Sequence, residues 1–500
     1  MSLEKLTRTI GANPRFILPA GALFCTAVLF IITGRVGLSP ILPNILLLVG
    51  SIAILMFSKP ITALYLLLIL SLLQNILGPW FESFYVGTWR DILTVGILAL
   101  IFLKYTIARK GFRARTPVTG LLLLFSALIF VQIFNPQLPS VGMGIFGFRA
   151  YFVPILGLFI GLNFISSTKE LKRIGLLLLV FLTLSAIVGI IQSKMGFSSY
   201  ENLSQYIRTD MAHQASGYSW YRVSSIFGSV WEFGNLMTFM ILLSLPLYHI
   251  VRRKRAKTFL FITIAILFTG LITSAALSSI YSAILGICIY AVLLKKRKLS
   301  FVVASVILIA LSAIFMERIG WERVVFYFIS ERQHTTLLAA VPFHEALLGN
   351  LKSNFFGSGM GISLDSIGIR YGLPISMYKH MYPDLDMEGD YFRLMNQAGL
   401  PTMLLFIFIH VKTILWGLKI RNLLSDVFLK SIALGISILL ISALVTSMFR
   451  TYIGQRPLDL FIWISIGILF ALPRLEKREA RSVPERRYPD PGPGGFAGRS

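Results

Sequence analysis

Residues 258–294 read TFLFITIAILFTGLITSAALSSIYSAILGICIYAVLL, without one charged side chain. A transmembrane helix takes about 20 apolar residues, because about 30 Å of hydrocarbon is climbed at about 1.5 Å per residue. This run is too long for one crossing, and basic clusters at 252–257 and 295–298 bound it on both sides. We therefore expect two helices with a tight turn near Ser274 to Ser279.

Working outward with the same window gives an all-α polytopic membrane chain of about fourteen spans. They lie near 16–33, 41–57, 61–78, 92–108, 118–134, 150–167, 174–193, 234–251, 258–276, 277–294, 299–315, 399–418, 427–447 and 458–473. The composition agrees. With 56% hydrophobic and 14% charged residues, and a mean hydropathy of +0.76, the chain falls outside the range of soluble domains. Cys25 and Cys288 both lie in apolar runs, so neither a disulfide scaffold nor a zinc site is indicated.

The formal charge of +25 is a matter of topology. With the N-terminus in the cytoplasm, roughly two-thirds of the Lys and Arg residues fall on the inner side. They occupy 109–115, 169–173, 252–257, 295–298 and the tail from Arg474, whereas most acids fall on the outer side. Positive charge distributed this way marks the cytoplasmic face, and no nucleic-acid footprint is implied. The first span lacks a small-residue cleavage site, and Phe24 spoils Ala22-Leu23-Phe24-Cys25 as a lipoprotein signal. Residues 1–15 are a short cytoplasmic N-terminus, 16–475 the membrane domain, and the Arg-, Pro- and Gly-rich segment 476–500 a disordered cytoplasmic tail.

Two connections are long, 194–233 and 316–398, and both fall on the outer side, where function concentrates in an otherwise economical chain. The second is partly amphipathic: 319–331 and 336–351 are expected to be helices lying on the membrane face as a lid. Three outer arginines stand out. Arg222 sits in Trp220-Tyr221-Arg222-Val223-Ser224-Ser225-Ile226-Phe227-Gly228, Arg149 in Gly147-Phe148-Arg149-Ala150-Tyr151, and Arg332 after the first amphipathic helix. Glycines follow the first two twelve positions on, at Gly234 and Gly161. A guanidinium fork just outside hydrocarbon suits a diphosphate; its plainer role is to snorkel or to pair with an outer carboxylate.

Phe356-Gly357-Ser358-Gly359-Met360-Gly361 lacks the Lys-Ser/Thr of a nucleotide loop and is expected to be a tight reversal. Asp384-Leu385-Asp386-Met387-Glu388-Gly389-Asp390 starts like a calcium loop, but Met395 stands where a bidentate Glu belongs. Its acids are candidates for a general base, Glu388 first and Asp390 second, or for simple helix capping.

Over roughly 140–420 the chain resembles the O-antigen ligase and O-antigen polymerase family of bacterial inner-membrane glycosyltransferases. Four pieces in order carry the resemblance: Arg222 with Phe227-Gly228 before a span; Thr273-Ser274-Ala275 through Ser279; Arg332, then an amphipathic helix and the glycine turn; and Glu388 to Tyr391 ahead of Gly399-Leu400. The resemblance implies transfer of a glycan from a polyprenyl-diphosphate carrier to an acceptor hydroxyl outside the inner membrane, with no cofactor, nucleotide or metal. It implies that Arg222 and Arg332 hold diphosphate, with Arg149 as a third. Ligases of the family carry His-Asn where this chain has Glu388-Gly389, and His380 does not align with it. That departure favours a polymerase over a ligase. The other partners implied are a glycan or lipid-linked acceptor, the bilayer itself, and chain-length or export proteins. The rival readings are a flippase or transporter, against which stands the lack of an acid well inside any span, and a non-enzymatic assembly scaffold.

Overall fold

Thr258 and its neighbours do form two helices, and the break falls at Ala275, whose backbone turns left-handed at φ 48°. The computed structural model describes residues 60–77, 83–107, 111–195, 223–293, 355–362, 389–448 and 451–482. Among these, 82% are helical and no strand occurs. In chain order the described helices are α1 (Pro60–Leu77), α2 (Ser83–Ile107), α3 (Thr119–Val131), α4 (Val141–Phe164), α5 (Thr168–Met195) and α6 (Val230–Ile250). They continue as α7 (Lys254–Ser274), α8 (Leu277–Leu293), α9 (Asp390–Ala398), α10 (Leu400–Leu423), α11 (Val427–Thr446) and α12 (Leu458–Ser482).

Seven of them, α4 to α7 and α10 to α12, are long and apolar enough to cross a bilayer, as in a multi-pass membrane protein. Shorter apolar helices lie at Ile61–Leu73, Thr119–Phe134 and Ser278–Leu293. The expected spans 16–33, 41–57 and 299–315 lie outside the described residues, as do the amphipathic segments 319–331 and 336–351.

Between apolar helices in lipid there is little hydrophobic drive, so close backbone packing carries the association. The α4–α12 pair shows how. A Cβ on Gly161 would sit 2.2 Å from the Ile464 carbonyl oxygen, and one on Gly467 would sit 2.0 Å from that of Leu158. Gly234 makes the equivalent approach from α6 to the α7–α8 turn, where a Cβ would lie 2.9 Å from Ala276 Cβ and Ser279 Oγ. The two glycines that follow Arg149 and Arg222 are thus helix-packing notches.

Helix ends sort into two sets. At one end Arg474 Nη2 donates to the carbonyls of Leu162 and Ile165 at 2.8 Å, closing the C-terminus of α4. There Asn163 pairs with the backbone of Arg113, and Glu476 Oε1 accepts from Asp426 N at 2.7 Å ahead of α11. These contacts correct two boundaries. Helix α12 runs to Ser482 instead of stopping at 473, so 476–482 are not part of a disordered tail. Lys, Arg, Glu and Ala are good helix formers, and Glu476 is anchored. Residues 483–500 lie outside the described residues. At the other end α2 begins at Ser83 and α4 at Val141, each about nine residues before its apolar run. Ser140 caps α4, its Oγ accepting from Met143 N at 3.2 Å.

Candidate functional site: charge layered at one end of the bundle

Because α2 starts early, Arg90 and Asp91 lie on the helix. Arg90 is 1% exposed and grips Asp459 at the head of α12 with two bonds, Nη1 to Oδ1 at 3.0 Å and Nη2 to Oδ2 at 3.2 Å. Its Nε and Nη2 also reach Asp91 Oδ1 at 3.4 Å. A buried arginine is tolerable only when its donors are used, and a forked carboxylate meets that need. Asp91 faces outward with its other oxygen. Arg149 Nε lies 3.0 Å from Asp91 Oδ2, an ion pair set off the angle of a directed hydrogen bond, and Arg456 Nη2 lies 4.0 Å from the same oxygen.

The layering matters. The acids Asp91, Asp459 and Asp390 are buried, whereas the Arg149 and Arg456 side chains are 21% and 30% exposed. Arg393 is also half-buried and acts on Asp390 and on Tyr151. Positive charge therefore faces outward over a buried acidic layer that fixes its geometry. Burial and the nearby Arg90 pull the Arg456 guanidinium below its ordinary range, and Asp91, Asp459 and Glu232 oppose that. It remains a cation, as arginine does in proteins. Glu232 turns its carboxylate to the Gly228 N–H at 3.0 Å, one residue before the N-cap, while Ser229 caps α6 by accepting from Glu232 N.

Asp390, the second candidate for a base, has another occupation. Its Oδ2 accepts from Ser447 Oγ at 2.8 Å and from the N–H groups of Tyr452 and Ile453, both at 2.7 Å; its Oδ1 accepts from Gly454 N at 3.1 Å. Burial pushes this carboxyl up from its ordinary range, and the donors and Arg393 pull it back. So engaged, with three bonds on Oδ2 and one on Oδ1, Asp390 clamps the loop that carries Arg456. Asp390, Asp459, Tyr151, Ile453 and Trp463 line one small crevice between the clamp and the ion pairs.

The motif pieces that lie far apart in sequence meet here. Gly234 packs on Ala276 and Ser279; Ser279 Oγ donates to Asn235 Oδ1 at 2.5 Å, and the Asn235 amide in turn donates to Gln455, beside Arg456. The glycine turn is a wedge and not merely a reversal. Ser358 N and Gly359 N donate to the carbonyls of Asn396 and Gln397 at 2.7 and 3.0 Å, and Gly361 N donates to Gln397 Oε1 at 3.0 Å. A Cβ on Gly147 would lie 2.1 Å from the Gly361 nitrogen, two residues before Arg149. We expect Gly147→Ala to cost about 1–3 kcal/mol through overpacking. Gly120→Ala, where a Cβ meets nothing within 4 Å, should instead gain up to about 1 kcal/mol from helix propensity. Thermal unfolding in detergent measures both.

Of the residues singled out in the sequence, Arg149 and Asp390 fall at this end. Arg222, Arg332 and Glu388 lie outside the described residues. Next to Arg222 and Glu388 in sequence, Val223 N donates to Thr273 O at 3.3 Å, and Gly389 packs against the carbonyls of Ser447 and Met448. Sequence reading missed Arg90, Asp91, Arg456 and Asp459. The available signal was an arginine adjacent to an acid at the entry of a span, Trp89-Arg90-Asp91, matched by Arg456-Pro457-Leu458-Asp459. Asp91 is buried near the start of α2, one residue ahead of the expected span 92–108. Comparison with models of known protein families gives no match, and comparison with curated proteins gives none either.

Proposed function

We propose that this chain is a membrane glycosyltransferase that polymerises polyprenyl-diphosphate-linked oligosaccharide units at the charge-layered end of the bundle. The observation that supports it is the part-exposed arginines Arg149, Arg456 and Arg393 beside buried acids at one end of the bundle. In this reading the layered end faces the periplasm, since the opposite end carries Arg113, Lys172, Lys257 and Arg474 and both termini would be cytoplasmic. About fourteen spans would hold it in a bacterial inner membrane.

The acceptor hydroxyl oxygen attacks the anomeric carbon of the donor sugar. The bond from that carbon to the diphosphate oxygen breaks, and its electron pair leaves with the polyprenyl diphosphate. Glu388 takes the hydroxyl proton. Arg149 and Arg456, with Arg222 and Arg332, bind the diphosphate and stabilise the charge that develops on it. Asp390 positions the Arg456 loop.

Purified protein in nanodiscs, given a polyprenyl-diphosphate oligosaccharide with EDTA and without nucleotide, should build a ladder of longer lipid-linked chains. A single shift onto an added acceptor would make it a ligase instead. Arg149→Lys should lower the rate roughly tenfold, because the planar fork is lost while the charge stays. An unchanged rate would remove Arg149 from the donor site.

One observation favours a second reading, transport of the lipid-linked glycan. Asp91 and His410 are ionisable side chains buried on helices, of the sort that carriers use. His410 is packed against Phe406 and Trp463, with ring centroids at 4.4 and 5.4 Å, and its Nδ1 lies 2.9 Å from the Phe406 carbonyl. Glycan crossing a liposome bilayer with no change of chain length would establish transport.

A further inference from the structure

Helices α1, α5, α6, α11 and α12 line a partly open cavity of about 220 Å³ that reaches Lys172 near the start of α5, at the end of the helices opposite Arg149 and Arg456. Leu68, Leu178, Phe239, Leu243, Ile436 and Ile464 represent its walls, which are apolar except for Lys172 and the hydroxyls of Ser244 and Ser465. Ser465 spends its proton on the Phe461 carbonyl at 2.8 Å. An apolar cavity of roughly 150 Å³ stays dry and accepts a hydrocarbon guest, so a larger one of the same lining is a hydrocarbon site.

The mouth is not apolar. Lys172 is exposed on the first turns of α5, its ammonium 4.8 Å from the centre of the Phe428 ring. Its neighbour Arg173 stands close enough to Tyr65 of α1 to act on it. Lys172 in the lining and the exposed Arg173 beside it in sequence thus put two cations at the basic end of the slot, where an anionic headgroup would lie in a bilayer.

We propose that the cavity holds one acyl chain of an anionic glycerophospholipid, with its phosphate at Lys172 and Arg173. Charge complementarity selects this occupant: a neutral lipid fills the slot equally well but makes no use of the two cations.

The full chain, purified in detergent, is incubated with phosphatidylglycerol or phosphatidylcholine of matched acyl length and weighed by native mass spectrometry. Wild type should retain phosphatidylglycerol about tenfold better, the scale set by one or two basic side chains at a lipid surface. A Cβ on Gly175 meets nothing within 4 Å, so Gly175→Phe sends its ring into the cavity and should abolish retention without lowering the unfolding temperature. Lys172→Glu, a surface change that spares the packing, should erase the preference while chain binding persists. Equal retention of the two lipids, no retention by wild type, or full retention by Gly175→Phe would each overturn the proposal. Displacement of phosphatidylglycerol by an equimolar polyprenyl phosphate would also overturn it, by assigning the slot to an isoprenoid.

Discussion

Arg90→Met should destabilise the protein by about 3–5 kcal/mol, the cost of removing one partner from a buried ion pair. The substitution fits the space and keeps helix propensity, so the loss is electrostatic. Asp459 forfeits the two forked bonds at 3.0 and 3.2 Å, and Asp91 forfeits its inner partner. Both carboxylates are then left in an interior from which water is excluded. Arg90→Lys should recover only part of the loss, because an ammonium cannot serve Asp459 bidentately and reach Asp91 as well.

The triple change Arg90→Met, Asp91→Asn, Asp459→Asn separates stability from function. Removing all the charges together relieves the desolvation penalty, so stability should return to near the wild-type value. Transfer activity should not return, since Arg149 and Arg456 would lose the negative charge of Asp91 that holds them at 3.0 and 4.0 Å. Thermal unfolding in detergent beside the ladder assay measures both. A triple variant that is stable and fully active would reduce the ion pairs to a structural staple and detach them from the donor site.

The contrast between what the sequence discloses and what it hides follows from range. Apolar runs are local, and a window of one bilayer thickness finds them, including the break at Ala275. Helix starts are found late, because the window is penalised by charge: Arg90 and Asp91 pushed the reading of α2 to residue 92, although the helix starts at Ser83. The pairing of Arg90 with Asp459 spans 369 positions, and each partner alone resembles an ordinary flanking charge. Spacing could not reveal that Asp390 would face three consecutive backbone amides of a loop more than sixty residues away. Glycines were visible as punctuation, yet whether Gly147 meets a turn or a lipid depends on where residues 355–362 wedge in.

That Asp390 clamp gives the second large effect: Asp390→Asn should cost about 3 kcal/mol, on the scale of a lost charged hydrogen bond with a buried donor left unmatched. The amide oxygen can take the Oδ2 position and keep Ser447, Tyr452 and Ile453. Its NH2 then faces the Gly454 N–H, donor against donor, at the 3.1 Å now bridged by Oδ1. Flipping the amide is worse, because the bonds from Tyr452 N and Ile453 N both go instead of one, and only the Ser447 hydroxyl can turn to accept. Hydrogen exchange at the amides of Tyr452, Ile453 and Gly454 should accelerate before global unfolding, with the loop to Arg456 loosening as a unit. A positioning role predicts weaker donor binding, seen in KM, together with this local exchange. A catalytic base predicts the reverse: normal exchange, unaltered stability and a lower kcat. The second pattern would return Asp390 to the chemistry and leave the Arg456 loop to be held by something else.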